Sequence, residues 1–566
     1  MSSPKPLPYL PPELLGSVLS WVRRRSDLKN VMLTTKAMRD LAMPFLYSTV
    51  HLVIERCNRE ALEALLEAGH PGNQHIRTLV ADCDGEAHNE TSLKTLKALL
   101  QSIPQDRLAF FRCMFTANID NQIMCLLASR QRRLEVLALG TMALDALSGQ
   151  DHSPSVPLAL QEWPSRVAHL VITWRIVSMD ELRYCSALLD RSEETCKRLS
   201  IRTNTLGPSE KDSQGFDVLG LEGEAMRTLF QHCIGVEPRR QMNLECLSFS
   251  GQDFSSTTND LCNAVNMPSL RELYIWECRQ VDTLLARLIE IFGNEPSQLR
   301  KLVIGIKYSQ PSPRLIRKLL QSLVGLEYLI VSHWCLSPED TKFDVRCLET
   351  HKSSLKDLSI GTGENRNRET ALYGLPEKDM EWLVANVRSL RQVALALPEI
   401  SLQDALSDEW GGFGKAMACL ATLEKLTVLR ILTWPTADDT HTVFSDIDDV
   451  DGPRTREAYL RQLDTLATMI ARFFNVTHRG SRLRRMAVLI FGNKERFDCV
   501  RNVDGWSIRM HVHGPVAYML RATLNADGEF EHCAERVEAE MVMYEEPLGC
   551  VKSNDFDQGL GPGLFE

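Results

Sequence analysis

A six-residue hydrophobic pattern recurs along most of the chain. An apolar residue, most often leucine, occupies its first and fourth positions, and a bulky apolar residue occupies its sixth, as in residues 270–275 and 299–304. The copies begin at Ile76, Leu134, Val167, Leu244, Leu270, Leu299, Leu326, Leu355, Leu390, Leu423 and Leu483, with weaker copies at Leu108 and Cys196. Alternating apolar residues over so short a run are typical of half-buried strands. The pattern therefore predicts about thirteen short strands, one for each copy.

Amphipathic segments separate these copies. Apolar residues recur in them at the spacing of a helix that is buried on one side. The predicted helices cover residues 92–103, 121–132, 179–191, 222–234, 281–292, 312–324, 377–389 and 456–474. The alternation of strand and helix predicts parallel strands joined by right-handed crossovers. Because one strand–helix unit cannot cover its own apolar face, consecutive units are expected to stack.

The N-terminal part has a different pattern, which predicts three short helices within residues 7–52. Pro11 and Pro12 fit the first turn of a helix, where a missing N–H is harmless. Apolar residues then follow at helical spacing, namely Leu14, Leu15, Val18, Leu19 and Val22. A segment of about forty residues buries too little apolar surface to be stable alone. Its apolar stripe must therefore be covered by the rest of the chain or by another protein.

The residues of this segment resemble the F-box of fungal proteins. The matching residues are, in order, Leu10, Pro11, Pro12, Glu13, Leu14, Leu15, Val18, Leu19, Asp27, Leu28, Val31, Leu33, Met38, Arg39, Pro44, Phe45, Leu46 and Tyr47. Thr35 departs from the Cys that many family members carry, and three arginines, at 23–25, occupy the loop between the first two helices. Neither departure removes an apolar contact.

This resemblance implies a three-helix motif that docks on a Skp-type adaptor and, through it, on a cullin scaffold. The residues that it places against the adaptor are Leu10, Pro11, Leu14, Leu15, Val18, Leu19, Leu28, Val31, Leu33 and Met38. Docking requires part of the stripe to be exposed in the isolated chain, above all at Leu10, Leu14, Val18 and Leu28. The alternative is a helical cap whose leucines pack on the strand–helix units that follow.

The spacing of the hydrophobic copies resembles that of leucine-rich repeats of the strand–helix kind. Between Leu244 and Leu355 consecutive copies lie 26, 29, 27 and 29 residues apart, within the range of that family. The Asn or Cys that the family carries after each strand is matched cleanly once, at Cys278. The equivalent positions elsewhere hold Gln252, Lys307, Trp334, Gly363 and Pro398. The resemblance therefore implies an irregular α/β solenoid over residues 53–493, with parallel strands and outer helices.

Regions without the pattern complete the expected organisation. Large insertions are predicted at residues 145–165, 203–221, 361–376 and 433–455. Past the last copy, alternating residues predict strands at 506–512 and 517–524, with a turn at 525–528. We expect residues 494–548 to form a β-rich cap, since the last unit of a solenoid exposes apolar surface, and residues 549–566 to form a flexible tail. The alternative to a solenoid is a generic α/β domain with coincidental leucine spacing.

The residues between the core leucines of a strand lie on the opposite face of the sheet, because side chains alternate along a strand. In a solenoid this is the concave face. Aligning the best copies brings together an apolar and aromatic group with charged neighbours: Glu272, Tyr274, Trp276, Lys301, Val303, Tyr328, Ile330 and Asp357. Aromatic groups in such settings often anchor protein partners, so these residues are a candidate target-binding surface. In the alternative, returning loops bury them.

Charge and motifs argue against several other functions. The 566 residues include 64 Lys and Arg against 74 Asp and Glu, a net charge of −10, whereas nucleic-acid-binding proteins usually carry a positive excess. The 16 cysteines form no C-x-x-C pair, which excludes the common zinc modules. Residues 446–452 and 411–415 resemble a calcium loop and a phosphate loop but lack ligands that each requires. The residues Cys499, His511, His513, His532 and Cys533 match no metal module.

The sequence thus predicts a protein of the cytoplasm or nucleus with no cofactor, metal, nucleic acid or membrane as partner, since no signal segment and no run of about eighteen apolar residues occurs. The first functional hypothesis is a non-catalytic, substrate-recognition subunit of an SCF-type (Skp–cullin–F-box) ubiquitin ligase. The second is a protein-interaction scaffold with no link to ubiquitin. The third hypothesis is an enzyme, but the sequence contains none of the common catalytic motifs that would support it.

Overall fold

The computed structural model is an α/β protein in which strands and helices alternate. It describes residues 10–22, 25–53, 59–67, 69–82, 89–114, 121–140, 166–174, 179–203, 222–233, 241–276, 278–306, 313–333, 343–362, 374–398, 400–407, 409–433, 435, 452–477, 486–492, 496–501, 507–513, 516–524 and 530–537. The chain forms two compact units. The first unit contains the described residues up to Gln252 and residues 256–266, and the second contains residues 253–255 and the described residues from Met267 onward.

The first unit begins with three short helices, which we call the head. They are α1 (Pro12–Leu19), α2 (Arg25–Met32) and α3 (Lys36–Tyr47). The Pro11 carbonyl accepts hydrogen bonds from the amides of Leu14 and Leu15, both 3.0 Å long, which starts α1. The Thr35 hydroxyl accepts a hydrogen bond of 3.1 Å from the Met38 amide and so caps α3. Helices therefore lie where the sequence predicts them, while their identity as an F-box stays a prediction.

A series of parallel strands follows the head. The strands of the first unit are β1 (Thr49–Val53), β2 (Thr78–Asp82), β3 (Phe110–Met114), β4 (Val136–Leu139), β5 (His169–Trp174), β6 (Arg198–Thr203) and β7 (Cys246–Ser250). Each pairs in parallel with the next. The helices of this series are α4 (Arg59–Leu66), α5 (Asn89–Ser102), α6 (Asn121–Arg130), α7 (Met179–Ser192), α8 (Glu222–Leu229) and α9 (Thr258–Ala264), with a 3-10 helix at Asn73–His75.

The second unit repeats this arrangement. Its strands are β8 (Glu272–Trp276), β9 (Lys301–Ile306), β10 (Tyr328–His333), β11 (Asp357–Thr362), β12 (Gln392–Leu395), β13 (Val428–Ile431), β14 (Val488–Phe491), β15 (Arg496–Arg501), β16 (Ser507–His513), β17 (Val516–Leu524) and β18 (Phe530–Val537). Its helices are α10 (Val281–Asn294), α11 (Pro313–Ser322), α12 (Glu377–Asn386), α13 (Leu402–Leu406), α14 (Gly411–Leu420) and α15 (Gly452–Thr477), with 3-10 helices at Met267–Ser269 and Val345–His351. Strands β8 to β14 pair in parallel in chain order.

The apolar positions of the sequence pattern form the core of each unit. In the copy that contains β8, Leu270, Leu273 and Ile275 are almost inaccessible to water. Glu272 and Tyr274 alternate with them and so lie on the opposite face of the strand. The following helix, α10, buries its own apolar stripe. Strand and helix thus bury one face each, as stacked units require.

The strand positions agree with the sequence prediction except for two shifts in register. Strands β2 to β12 each begin two residues after the first residue of a predicted copy. Strands β13 and β14 begin at Val428 and Val488, so the residues equivalent to the other copies are Leu426 and Met486 rather than Leu423 and Leu483. Leu423 fits the apolar pattern equally well, but it is buried in the turn after α14. Each of the predicted helices coincides with an observed helix.

Antiparallel strands end the second unit. β17 pairs with β14 and β18 pairs with β17, both antiparallel, while β15 and β16 pair with each other. The Tyr518 hydroxyl on β17 donates a hydrogen bond of 2.8 Å to the carboxylate of Asp464 on α15. Arg536 on β18 lies 3.6 Å from the same carboxylate. The described part of residues 494–548 therefore consists of strands, as the sequence predicts, and two of these strands contact α15.

Several sequence predictions concern residues outside the described ranges. They include most of the four insertions, the turn at 525–528, the tail at 549–566, the acidic residues 446–451, and the positions Lys307, Trp334, Gly363 and Leu483.

Candidate protein-binding surfaces

Exposed large apolar side chains are concentrated in the head. Among the described residues, seven such side chains are strongly exposed, and five of the seven lie within residues 10–33. These five are Leu10 at 45%, Leu14 at 52%, Val18 at 54%, Trp21 at 76% and Leu33 at 77% exposure, and the other two are Val324 and Leu406. Single exposed leucines are ordinary, whereas a contiguous apolar group is typical of an interaction site.

Four of these residues lie on α1 or next to its ends, since Leu10 precedes the helix and Trp21 follows it. Leu10, Leu14 and Val18 succeed one another at intervals of four residues, and Trp21 follows three residues later. The Trp21 amide donates to the Val18 carbonyl at 3.1 Å, so the helical spacing, which places such residues on one face, continues to Trp21. We call Leu10, Leu14, Val18 and Trp21 the α1 stripe. The expected exposure of Leu10, Leu14 and Val18 is confirmed, whereas Trp21 was not among the predicted site residues.

Leu28 differs from the expectation, because it is only 4% exposed. Together with Leu19 and Ala42 it forms the core of the head. The side chains packed around this core are Val22, Val31, Met32, Leu41, Phe45 and Leu46. The prediction that Leu28 is exposed is therefore wrong, since α2 turns this residue toward α3. Leu19 and Leu28 hold the head together, and the apolar surface that faces water belongs to α1 and Leu33.

The head is joined to the first strands through the end of α3. The ring of Tyr47 lies so close to Gly72 that a Cβ atom there would come within 2.6 Å of it. Tyr47 also meets the ring of His70 edge-on, with centroids 5.4 Å apart, and the Gly72 amide donates to His70 Nδ1 at 3.1 Å. The Arg25 guanidinium donates to the Thr49 carbonyl at the start of β1. One side of the head thus packs on the residues around β1 and β2, while the α1 stripe remains exposed.

The candidate target-binding residues of the second unit come together, but their apolar members are buried. Trp276, Val303, Tyr328 and Ile330 form one cluster, with Tyr274 packed against it. All four are less than 9% exposed. The hypothesis of an accessible apolar patch is therefore wrong, because these side chains are buried. Alternation along a strand fixes the face on which a residue lies, not what covers that face.

The charged members of the same group remain half-buried. Lys301 Nζ lies 4.2 Å from the ring centroid of Tyr328 and 5.3 Å from that of Tyr274, which are cation–π distances. The Tyr274 hydroxyl donates to the Glu272 carboxylate at 2.9 Å. Asp357 stands beside Tyr328 in the strand register. Lys301 and Glu272 are thus engaged by these tyrosines, so this group is a weaker candidate for target binding than the sequence suggests.

A basic group on the first unit was not predicted. Arg198 and Arg202 lie on β6 on the face opposite the core, and Arg112 lies on the same face of β3. His169, on the neighbouring strand β5, is buried, and its Nε2 lies 3.5 Å from the Ser200 hydroxyl. Burial, and then the positive charges of Arg198 and Arg202, lower the pKa of His169 to about 3. The signal in the sequence was the alternation of residues 198–202, in one of the two weak copies of the pattern.

The buried cysteines have the character of core residues. Burial raises the pKa of both Cys196 and Cys347 to about 12, so these thiols stay protonated and are poor nucleophiles at neutral pH. No group of three or more His, Cys, Asp or Glu side chains in the described ranges is placed to hold a metal ion. As for the membrane, the helices that the structure describes include none with the length and apolar character needed to cross it.

Comparison of the sequence with protein-family models and with curated proteins gives no match. The resemblances to an F-box and to leucine-rich repeats therefore stay predictions, based on the residues quoted above.

Proposed function

We propose that this chain is the non-catalytic, substrate-recognition subunit of an SCF-type ubiquitin ligase. The head would bind a Skp-type adaptor, and the strand–helix units would hold the target protein. The observation that carries the proposal is the α1 stripe, four large exposed apolar side chains on α1 and next to its two ends. The resemblance of the same residues to an F-box supplies the kind of partner.

The energetics of the stripe support docking of an apolar partner. Full burial of a large apolar side chain contributes about 1.5–3 kcal/mol, and the loss of rotational and translational freedom on association offsets part of the total. Trp21 is the largest of the four, and tryptophan is enriched among residues that dominate binding energies. Because Leu19 and Leu28 already hold the head together from within, the stripe is available to a partner without unfolding the head.

The mechanism would be one of proximity. A subunit that holds a target near the ubiquitin-loaded enzyme raises the effective concentration of target lysines at the reacting thioester. Such a subunit forms no covalent intermediate. The contact between Tyr47 and Gly72 suits this role, because it packs the end of the head against the residues that precede β2.

Capture of a purified Skp-type adaptor by the full-length chain tests the proposal. We expect Leu14→Asp to abolish capture, because it introduces a charge into the middle of the stripe. Val324→Asp is the matched control, since Val324 is also exposed but lies in the second unit, and it should leave capture unchanged. Both variants should melt at the temperature of the wild type, because neither side chain is buried.

Two results would count against this function. A folded wild-type chain that captures no adaptor would contradict the ubiquitin-ligase role and favour the second hypothesis, a scaffold without a link to ubiquitin. Undiminished capture by Leu14→Asp would show that the adaptor uses a surface other than the α1 stripe.

A further inference from the structure

The sheet face opposite the core of the first unit carries a concentration of positive charge at β6. Residues 198, 200 and 202 alternate with the core residues Leu199 and Ile201, so Arg198, Ser200 and Arg202 share one face of the strand. The two arginines are partly accessible, whereas Ser200 between them is buried. Their Cα atoms lie about 13 Å apart along an extended strand.

The strands on both sides of β6 extend this polar region. His169 on β5 is in register with Arg198, and Ser248 on β7 is in register with Ser200. Both side chains are buried, so they form a polar floor between the arginines. On β3 Arg112 is also partly accessible. It is three strands from β6, about 14 Å across the sheet, and the buried apolar side chains of Ala138 and Val171 lie on this face between the two strands.

The charge balance of this region is opposite to that of the whole chain. The protein carries a net charge of −10, yet β6 and its two neighbours, β5 and β7, contain no carboxylate residue. The depressed pKa of His169 has the same origin, since Arg198 and Arg202 add to burial in disfavouring its charged form. Arg198 and Arg202 therefore concentrate positive charge at β6 in an acidic protein.

We propose that Arg112, Arg198 and Arg202 bind an acidic segment of the target protein, rich in Asp and Glu and in extended conformation. This inference deepens the proposed function. It rests on that function only in identifying the bound acidic segment as part of the target protein. Guanidinium groups bind carboxylates through paired, charge-assisted hydrogen bonds. Carboxylates four residues apart on an extended segment would match the separation of Arg198 and Arg202. All three arginines also make contacts within the chain, which would hold them in place for the segment.

A nucleic acid fits this region less well. Proteins that bind single strands combine basic residues with exposed aromatic rings on which bases stack. Phe110, an aromatic residue of the same face, is buried. The overall negative charge also opposes the long-range attraction on which phosphate-backbone binding depends.

Fluorescence polarisation with the full-length chain tests this proposal. The probe is a labelled peptide of about ten residues in which Glu and Ser alternate, compared with a Lys–Ser peptide of the same length. We expect the double variant Arg198→Gln, Arg202→Gln to bind the acidic peptide at least about tenfold more weakly than the wild type. The pair Arg198→Lys, Arg202→Lys keeps the charge and should retain part of the affinity.

The matched control is Arg314→Gln with Arg388→Gln, which removes the same charge from exposed positions of the second unit and should change the affinity less than about twofold. If the β6 double variant does not fold, Arg112→Gln on β3 provides the same comparison. Leu14→Asp should leave peptide binding unchanged, and the arginine variants should leave adaptor capture unchanged. Failure of this inference and failure of the proposed function are therefore separate observations.

Three outcomes would overturn the inference. The first is a wild-type chain that binds the acidic peptide no better than the Lys–Ser peptide. The glutamine variants of folded protein could retain full affinity, which would give the arginines a purely structural role. Equal competition by an RNA oligonucleotide of the same charge would indicate a general polyanion surface instead of a site for protein segments.

Discussion

Position 305 has no side chain because the ring of Trp276 occupies the space. A Cβ atom on Gly305 would lie 2.1 Å from that ring, far inside van der Waals contact. The two residues are neighbours in the strand register, and Trp276 belongs to the buried cluster on the face opposite the core. A single glycine thus lets an indole ring lie flat on the sheet, and burial of this ring is what removes the predicted aromatic patch from the surface.

Replacing Gly305 should therefore destabilise the protein. We expect Gly305→Ala to lower the free energy of unfolding by about 1–3 kcal/mol, because the added methyl group displaces the indole from a packed cluster. Gly293→Ala is the control, since a Cβ atom at position 293 meets no atom within 4 Å and alanine favours the helix by up to about 1 kcal/mol. Urea denaturation of both variants measures the difference. Equal stability of the two variants would contradict the packing described for Trp276.

At the scale of single elements, two leucines of the head that look alike in the sequence differ in their burial. Leu14 and Leu28 both occupy apolar positions of short amphipathic helices. Leu14 is 52% exposed, whereas Leu28 is 4% exposed and contributes to the core of the head. Only the packing of α2 against α3 distinguishes them, which is why the sequence places both on the binding surface.

The two leucines should respond differently to truncation. Leu28→Ala is expected to destabilise the head by about 2–5 kcal/mol, the usual range for a buried leucine, and Leu14→Ala by no more than about 0.5 kcal/mol. Hydrogen exchange of the α2 and α3 amides in the full-length chain reports on local opening of the head. Similar exchange rates in both variants would show that Leu28 is not part of a separate core.

The strands and helices were predictable because their apolar spacing is a local property of the sequence. Leu270, Leu273 and Ile275 mark one strand by themselves, and the same spacing places β2 to β12. The predicted register was wrong at Leu423, because this apolar residue lies in a turn but fits the first position of the pattern. Burial of Trp276 and exposure of Trp21 were not predictable, since both depend on contacts between residues distant in sequence. The basic group at β6 could not be predicted either, because it is recognised only when the register of neighbouring strands is known.

At the scale of the whole molecule, antiparallel strands pair with β14, the last parallel strand of the second unit. β14 would otherwise present an unpaired edge, a surface prone to association with other chains. β17 and β18 cover this edge and contact α15 through Tyr518, Asp464 and Arg536. The cap is thus both a continuation of the sheet and a cover for the final helix.

Removal of this cap should expose apolar surface. We expect a chain that ends at residue 515 to bind an apolar fluorescent dye and to elute as aggregates in size-exclusion chromatography, because the edge of β14 and one side of α15 lose their cover. A chain that ends at residue 548 keeps both strands and should behave as the full-length protein does. A monodisperse, dye-negative chain ending at 515 would show that β14 is protected in another way.

The contact between Tyr47 and Gly72 has a consequence for anything that settles on α1. The ring of Tyr47 packs on the backbone at Gly72, shortly before β2, so the position of a molecule bound on α1 would depend on this contact. The orientation of such a molecule would then follow from the way the head packs on the first strands.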